Sequence, residues 1–125
     1  MYQLMYDIAK KEKSDMVECD FFWNYPDKVK TDVGEKYEGT AEALTKIRVV
    51  AWNKLIKREI LEETKILFPK GYRYEDVEFT YKLVPHLNKI SFLKKPCIHY
   101  IKREATISNS QKEITKEIND ALNKE

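Results

Sequence analysis

The chain has 125 residues, with 23 Lys and Arg against 21 Asp and Glu for a net charge of +2; this length suits one domain, and a surface mixed in sign argues against nucleic acid. Its three glycines, Gly34, Gly39 and Gly71, stand where average usage gives about nine, too few and too scattered for a G-x-G-x-x-G turn or a P-loop. A hydrophobic content of 42% with 12% aromatic excludes a disordered chain, no apolar run nears the roughly 18 residues of a membrane span, and the first residues lack a signal-peptide profile.

Met1 to Lys13 carries Met1, Leu4, Met5 and Ile8 on one helical stripe, with Lys10, Lys11 and Lys13 in the last turn, where cations favour the helix dipole. No capping residue precedes it, so the chain reads as if cut from something longer. Met16 to Trp23 alternates Val17, Cys19, Phe21 and Trp23 with Glu18 and Asp20, the period of a strand with one buried face and its acids in solvent. Asn24-Tyr25-Pro26-Asp27 is a turn, and the stretch to Gly39 reads as a long loop or a short hairpin around Asp32-Val33-Gly34. Thr40 is placed to cap a helix to Ile47 with Ala43, Leu44 and Ile47 inward.

Val49 to Trp52 reads as a short buried strand, Lys57 to Glu63 as a helix, and Pro69 and Gly71 as a break. The next helix runs from Glu75 to about Leu87 with Val77, Tyr81 and Val84 inward, and Phe79 and Leu87 as further candidates. Two strands follow, Ile90 to Leu93 and Cys97 to Ile101, parted by Lys94-Lys95-Pro96. The tail, 109–125, opens on a capping box, Ser110-Gln111-Lys112-Glu113, and shows one narrow stripe of Ile114, Ile118, Ala121 and Leu122. The expected fold is α/β or α+β, a small mixed sheet with flanking helices.

Several groups can carry chemistry. Glu75 and Asp76 open a helix, where the dipole keeps carboxylates ionised and able to take a proton from a hydroxyl; acids also sit there merely to stabilise the helix. Trp52, Asn53 and Lys54 follow a strand whose end can face a crevice, with a core Trp52 and a solvated Lys54 as the plain alternative. Tyr100 to Arg103 ends a strand with two cations that suit a diphosphate or simply the surface. Cys19 and Cys97 read as reduced thiols, and Cys97-x-His99 with Cys19 is a poor zinc pattern. Asp-x-Asp is absent, which leaves no hard-metal site.

In order, Ala51-Trp52-Asn53-Lys54-Leu55-Ile56-Lys57-Arg58-Glu59, Phe68-Pro69-Lys70-Gly71, Tyr74-Glu75-Asp76 with Phe79, and Pro96-Cys97-Ile98-His99-Tyr100 with Arg103 and Thr106-Ile107-Ser108 resemble the second half of a glycosyltransferase family two domain of GT-A type. The resemblance covers roughly residues 1–108, with 109–125 as a C-terminal amphipathic helix. It implies Asp76 as the general base with Glu75 beside it, and inverting transfer of a sugar from a nucleotide-diphosphate sugar to an acceptor hydroxyl in polysaccharide or cell-surface glycan synthesis. Trp52, Asn53 and Lys54 would line the acceptor side or the floor of the site, and Tyr100 to Arg103 would approach the donor phosphates.

Such domains carry their nucleotide-binding half and Asp-x-Asp before the helix with which this chain begins. The resemblance therefore implies a partial GT-A-like domain, inactive alone, with no cofactor or metal of its own and Mg²⁺ or Mn²⁺ expected only with the donor-binding half. Nucleotide sugar and glycan acceptor are the expected partners, without nucleic acid or a transmembrane segment. A cut sheet has an open edge, which suggests a homodimer. The expected location is the cytoplasm, the inner face of the membrane included. The alternative function is a noncatalytic interaction or oligomerisation domain built on the same framework.

Overall fold

A computed structural model describes residues 1–103; the expected helix over 109–125 and the Thr106-Ile107-Ser108 segment lie outside the described residues. The fold is mixed α/β: helices α1 (Tyr2–Glu12), α2 (Thr40–Lys46), α3 (Arg58–Thr64) and α4 (Glu75–Leu83) accompany strands β1 (Met16–Asn24), β2 (Val29–Asp32), β3 (Lys54–Ile56) and β4 (Ile90–Ile101), with a 3₁₀ turn at Val84–His86. β1 is the central strand. One of its edges pairs antiparallel with β3 over Met16 to Glu18 and with β2 over Phe21 to Asn24, and its other edge pairs in parallel with β4 along its whole length.

Helices cover both faces of the first half of β1. Met5 of α1 packs with Val17 and Cys19 on one side, while Met16 joins Ala43, Ile47, Phe79, Leu83, Val84 and Leu87 on the other. This double cover overturns the expectation of a solvated acidic face: Glu18 is 0% and Asp20 4% exposed. Alternation along a strand tells the two faces apart but not whether the second face meets water, and here Gly34, Tyr37, Arg48 and Lys54 take that place over the acids.

Other boundaries also move. The β1–β2 hairpin turns at the expected Asn24-Tyr25-Pro26-Asp27 cluster, closed by Tyr25 N–H donating to the Lys28 carbonyl at 2.8 Å, and not around Asp32-Val33-Gly34, where β2 ends at Asp32. Gly39, not Thr40, is the N-cap of α2. Val49 to Trp52 is irregular and the strand begins at Lys54, because Asn53 turns the chain through its own bonds to β1. The two expected C-terminal strands are one, β4, which runs through Pro96 with a register shift opposite Cys19 to Phe21; a bulge is where a sheet tolerates proline. In α4, Val77 and Tyr81 are exposed, while Phe79, Thr80 and Leu83 are buried. Leu4 of α1 is likewise exposed.

Cys19 and Cys97 are free thiols on the α1 side of the sheet. Burial, with the neighbouring Cys97 adding to it, pushes the Cys19 thiol from 9.0 to about 11. A raised folded value means that the fold favours the protonated thiol, so its contribution is complete below the unfolded pKa and is lost as pH rises through about 11. The stabilisation at stake is about 2–3 kcal/mol. Urea midpoints should therefore fall more steeply with alkaline pH in the wild type than in Cys19→Val. The difference isolates Cys19 from buried Lys54, whose lowered pKa contributes with the opposite sign. Parallel curves would remove Cys19 from this role.

Candidate functional site

Beneath the loop that joins α2 to β3 lies a cluster of buried charges. Glu18 and Asp20 project from β1 toward Arg48, whose Nη2 lies 3.1 Å from Glu18 Oε2 and whose Nη1 lies 3.3 Å from Asp20 Oδ1 and 3.2 Å from Asp32 Oδ1. Burial works against the guanidinium charge, but Glu18 and Asp32 outweigh it and hold Arg48 above its ordinary value. Tyr37 closes the cluster with its hydroxyl on Glu18 Oε2 at 3.5 Å; burial and the Glu18 charge raise its phenol well above the usual range. Gly34 completes the packing, because a Cβ there would come within 2.4 Å of Arg48 Nη2, while its N–H donates to Asp20 Oδ1 at 2.9 Å.

Lys54, paired across the strands with Glu18, has a side chain only 1% exposed. Its ammonium donates to the Arg48 and Val50 carbonyls and to Asn53 Oδ1. Asn53, fully buried, donates its own amide to the Cys19 carbonyl at 2.9 Å. The segment between Arg48 and Lys54 is thus pinned from below, and Trp52 stands at its crest.

Trp52 stacks on Tyr100 with ring centroids 5.4 Å apart and planes at 14°, and it meets Phe21 edge-on at 4.6 Å. It forms one wall of an open cleft of about 670 Å³, lined also by Ala51, Ile56, Phe68, Glu75, Asp76 and Phe79. Phe68 stacks on Phe79 at 4.1 Å to make a second aromatic wall. The carboxylates are set at the rim by Tyr74, whose backbone takes the left-handed conformation (φ 57°) just before α4. Such a conformation is costly for a bulky residue and recurs at functional sites. Burial, with the adjacent Glu75 charge adding to it, raises the Asp76 carboxyl above its ordinary 3.8, while backbone N–H groups and Lys54 pull the other way.

The structure therefore brings Trp52, Glu75 and Asp76 into one cleft, with Tyr100 behind Trp52. Asn53 and Lys54 lie beneath it, buried rather than lining it, so the plain alternative of a solvated Lys54 does not hold. Arg103 is exposed past the end of β4 and is not among the residues that line the cleft. Phe68, Phe79 and Ile56 complete the walls. The Glu18, Asp20, Asp32 and Arg48 cluster escaped the sequence reading, although a lone arginine within Ile47-Arg48-Val49-Val50 and two acids in an apolar strand were its signals. Among the described residues no group of three His, Cys, Asp or Glu is placed to hold a metal ion, and the acids that do converge have Arg48 between them. His99 stacks on Phe22 and bonds Asn24 Oδ1 at 2.9 Å.

Among the described residues no helix is long and apolar enough to cross a membrane. No protein-family model matches the chain. A protein of Bacillus subtilis (strain 168), EpsH, which bears the name of a glycosyltransferase, is 29% identical over 102 residues. The match covers 71% of this chain and spans 30% of that relative's length. It marks a glycosyltransferase-related region in this chain.

Proposed function

We propose that residues 1–108 are the acceptor side of an inverting, GT-A type glycosyltransferase that builds polysaccharide or cell-surface glycan. The observation that carries this reading is the pairing, in one open cleft, of a half-buried carboxylate with a stacked indole. An indole face suits the C–H face of a sugar ring, and a carboxylate at its edge suits a sugar hydroxyl. Among the described residues no ion pair occupies Asp76, unlike the acids of the buried cluster.

In the proposed reaction the acceptor ring lies against Trp52, and Asp76 accepts the proton of the attacking hydroxyl as its oxygen bonds to the anomeric carbon of the donor. The bond from that carbon to the diphosphate oxygen breaks in line, so the configuration inverts and the nucleoside diphosphate leaves. Glu75 keeps the local potential negative and favours the proton on Asp76 once it is taken. Among the described residues the acids that converge do so on Arg48 rather than on a metal site, and the steps above use side chains alone. Donor binding belongs to a further half of the enzyme in this reading, with Tyr100 to Arg103 turned toward the donor phosphates.

Two measurements test the proposal. The chain incubated with labelled nucleotide sugars, glycan acceptors and Mn²⁺ should show no transfer above background, and transfer by the chain alone would overturn its assignment as the acceptor side only. Glycan oligomers should perturb tryptophan fluorescence in the wild type, and Trp52→Ala should weaken their binding about tenfold, the equivalent of about 1.4 kcal/mol. Saturating glycan without any response, or an unchanged affinity in Trp52→Ala, would sink the acceptor-site reading.

A further inference from the structure

The wall that Trp52 forms has a charge for its foundation. All three Lys54 protons are directed to oxygens of the segment that carries Trp52: two to the carbonyls of Arg48 and Val50, one to the side chain of Asn53. Glu18 Oε1 faces the same ammonium at 3.3 Å yet accepts no hydrogen bond. Glu18 Oε1 thus serves Lys54 as its counter-ion, while the other oxygen is committed to Arg48 and Tyr37. A buried ammonium with its protons spent on neutral carbonyls keeps its charge only if an anion stands by.

We propose that Lys54, paired with Glu18, is a positioning residue of the cleft: it clamps the 48–53 segment beneath Trp52. The inference rests on the reading of Trp52 and Asp76 as the acceptor site, and it adds a layer under that site whose residues touch no substrate. Three features agree with it. Lys54 is the cation whose charge draws on Asp76, against the opposing charge of Glu75. The attraction is mutual, since Asp76 helps to keep Lys54 protonated against its burial. Trp52 and Asp76 also come from different parts of the chain and share only the cleft, so a group tied to both can set their relation.

The test follows the Asp76 carboxyl carbon by NMR during a pH titration of the full chain, together with the Trp52 indole N–H resonance. Lys54→Met should shift the Trp52 resonance and raise the Asp76 midpoint. Glu18→Gln keeps the lysine and its carbonyl partners but removes the anion that faces the ammonium; the Trp52 resonance should shift here too. Lys57→Met, an exposed lysine beyond the end of β3, should change neither signal. Should the two buried variants fail to fold, the wild type answers alone: the Trp52 resonance should show an inflection that coincides with loss of the Lys54 proton, which burial brings below its ordinary 10.5. Superimposable Trp52 signals in wild type, Lys54→Met and Glu18→Gln, or a wild type without that inflection, would overturn the inference. Failure of the wild type to bind glycans strikes instead at the proposed function and leaves this titration to be judged separately.

Discussion

Replacing Arg48 with methionine is expected to lower the stability of the fold by about 3–5 kcal/mol, the cost of leaving buried charges without their partner. Glu18 and Asp20 are essentially without solvent, and Asp32 turns a carboxylate toward the same guanidinium. Methionine matches the apolar stem of arginine but returns none of its hydrogen bonds. Lys54 compensates only in part, because it faces Glu18 at 3.3 Å while Asp20 and Asp32 pair with Arg48.

Guanidinium denaturation of the wild type and Arg48→Met, with slopes compared, measures the loss. The double variant Arg48→Met with Glu18→Gln should recover part of it, since one uncompensated charge is then gone. Gly34→Ala should act in the same direction with smaller effect, because its methyl group must push the guanidinium aside. A loss under about 1 kcal/mol in Arg48→Met would mean that water reaches the acids and that the cluster is not the keystone of the β1 face.

The second large effect is expected at Asp76. Transfer by the complete enzyme of the proposal should fall by about 10²–10⁴-fold in Asp76→Asn, the range for removal of a general base. Acceptor affinity should change little, because the ring rests on Trp52. Glu75→Gln should cost far less, since Glu75 is the more exposed of the two and acts on Asp76 through its charge.

The pH dependence has a definite sign. The base must be ionised to act, and its folded pKa is raised by burial and by Glu75; activity should therefore climb with pH along an acid limb centred above the ordinary 3.8 of an aspartate. In Glu75→Gln that limb should move to lower pH. Full activity in Asp76→Asn would take the role of base away from Asp76, and an acid limb unmoved by Glu75→Gln would remove the coupling between the two carboxylates.

The readable part of the fold is the part governed by local periodicity. α1 follows from Met1, Met5 and Ile8, and α3 falls within a residue of its expected span. The left edge of β1 at Met16 and the start of α4 at Glu75 were also legible, because a turn cluster or an acidic first turn marks each. The candidate cleft was legible in the residues that supply it, Trp52, Glu75 and Asp76, but not in its far wall. Phe68 sits in a loop and Phe79 one helical turn after the acids, and nothing in their spacing says that they stack.

What the sequence by itself determined is the inventory: a mixed α/β chain, apolar stripes that name one face of each element, a pair of acids at a helix start, and a tryptophan beside Asn53 and Lys54. Tertiary structure alone decided the environment of the charges. Whether Glu18 and Asp20 meet water depends on what covers the second face of β1, and the segments around Gly34, Tyr37 and Arg48 arrive there from other parts of the chain. Once covered, the acids require cations at contact distance, and only the fold brings Arg48 and Lys54 to them. Periodicity is set by neighbours along the chain, whereas the free energy of a charge is set by neighbours in space.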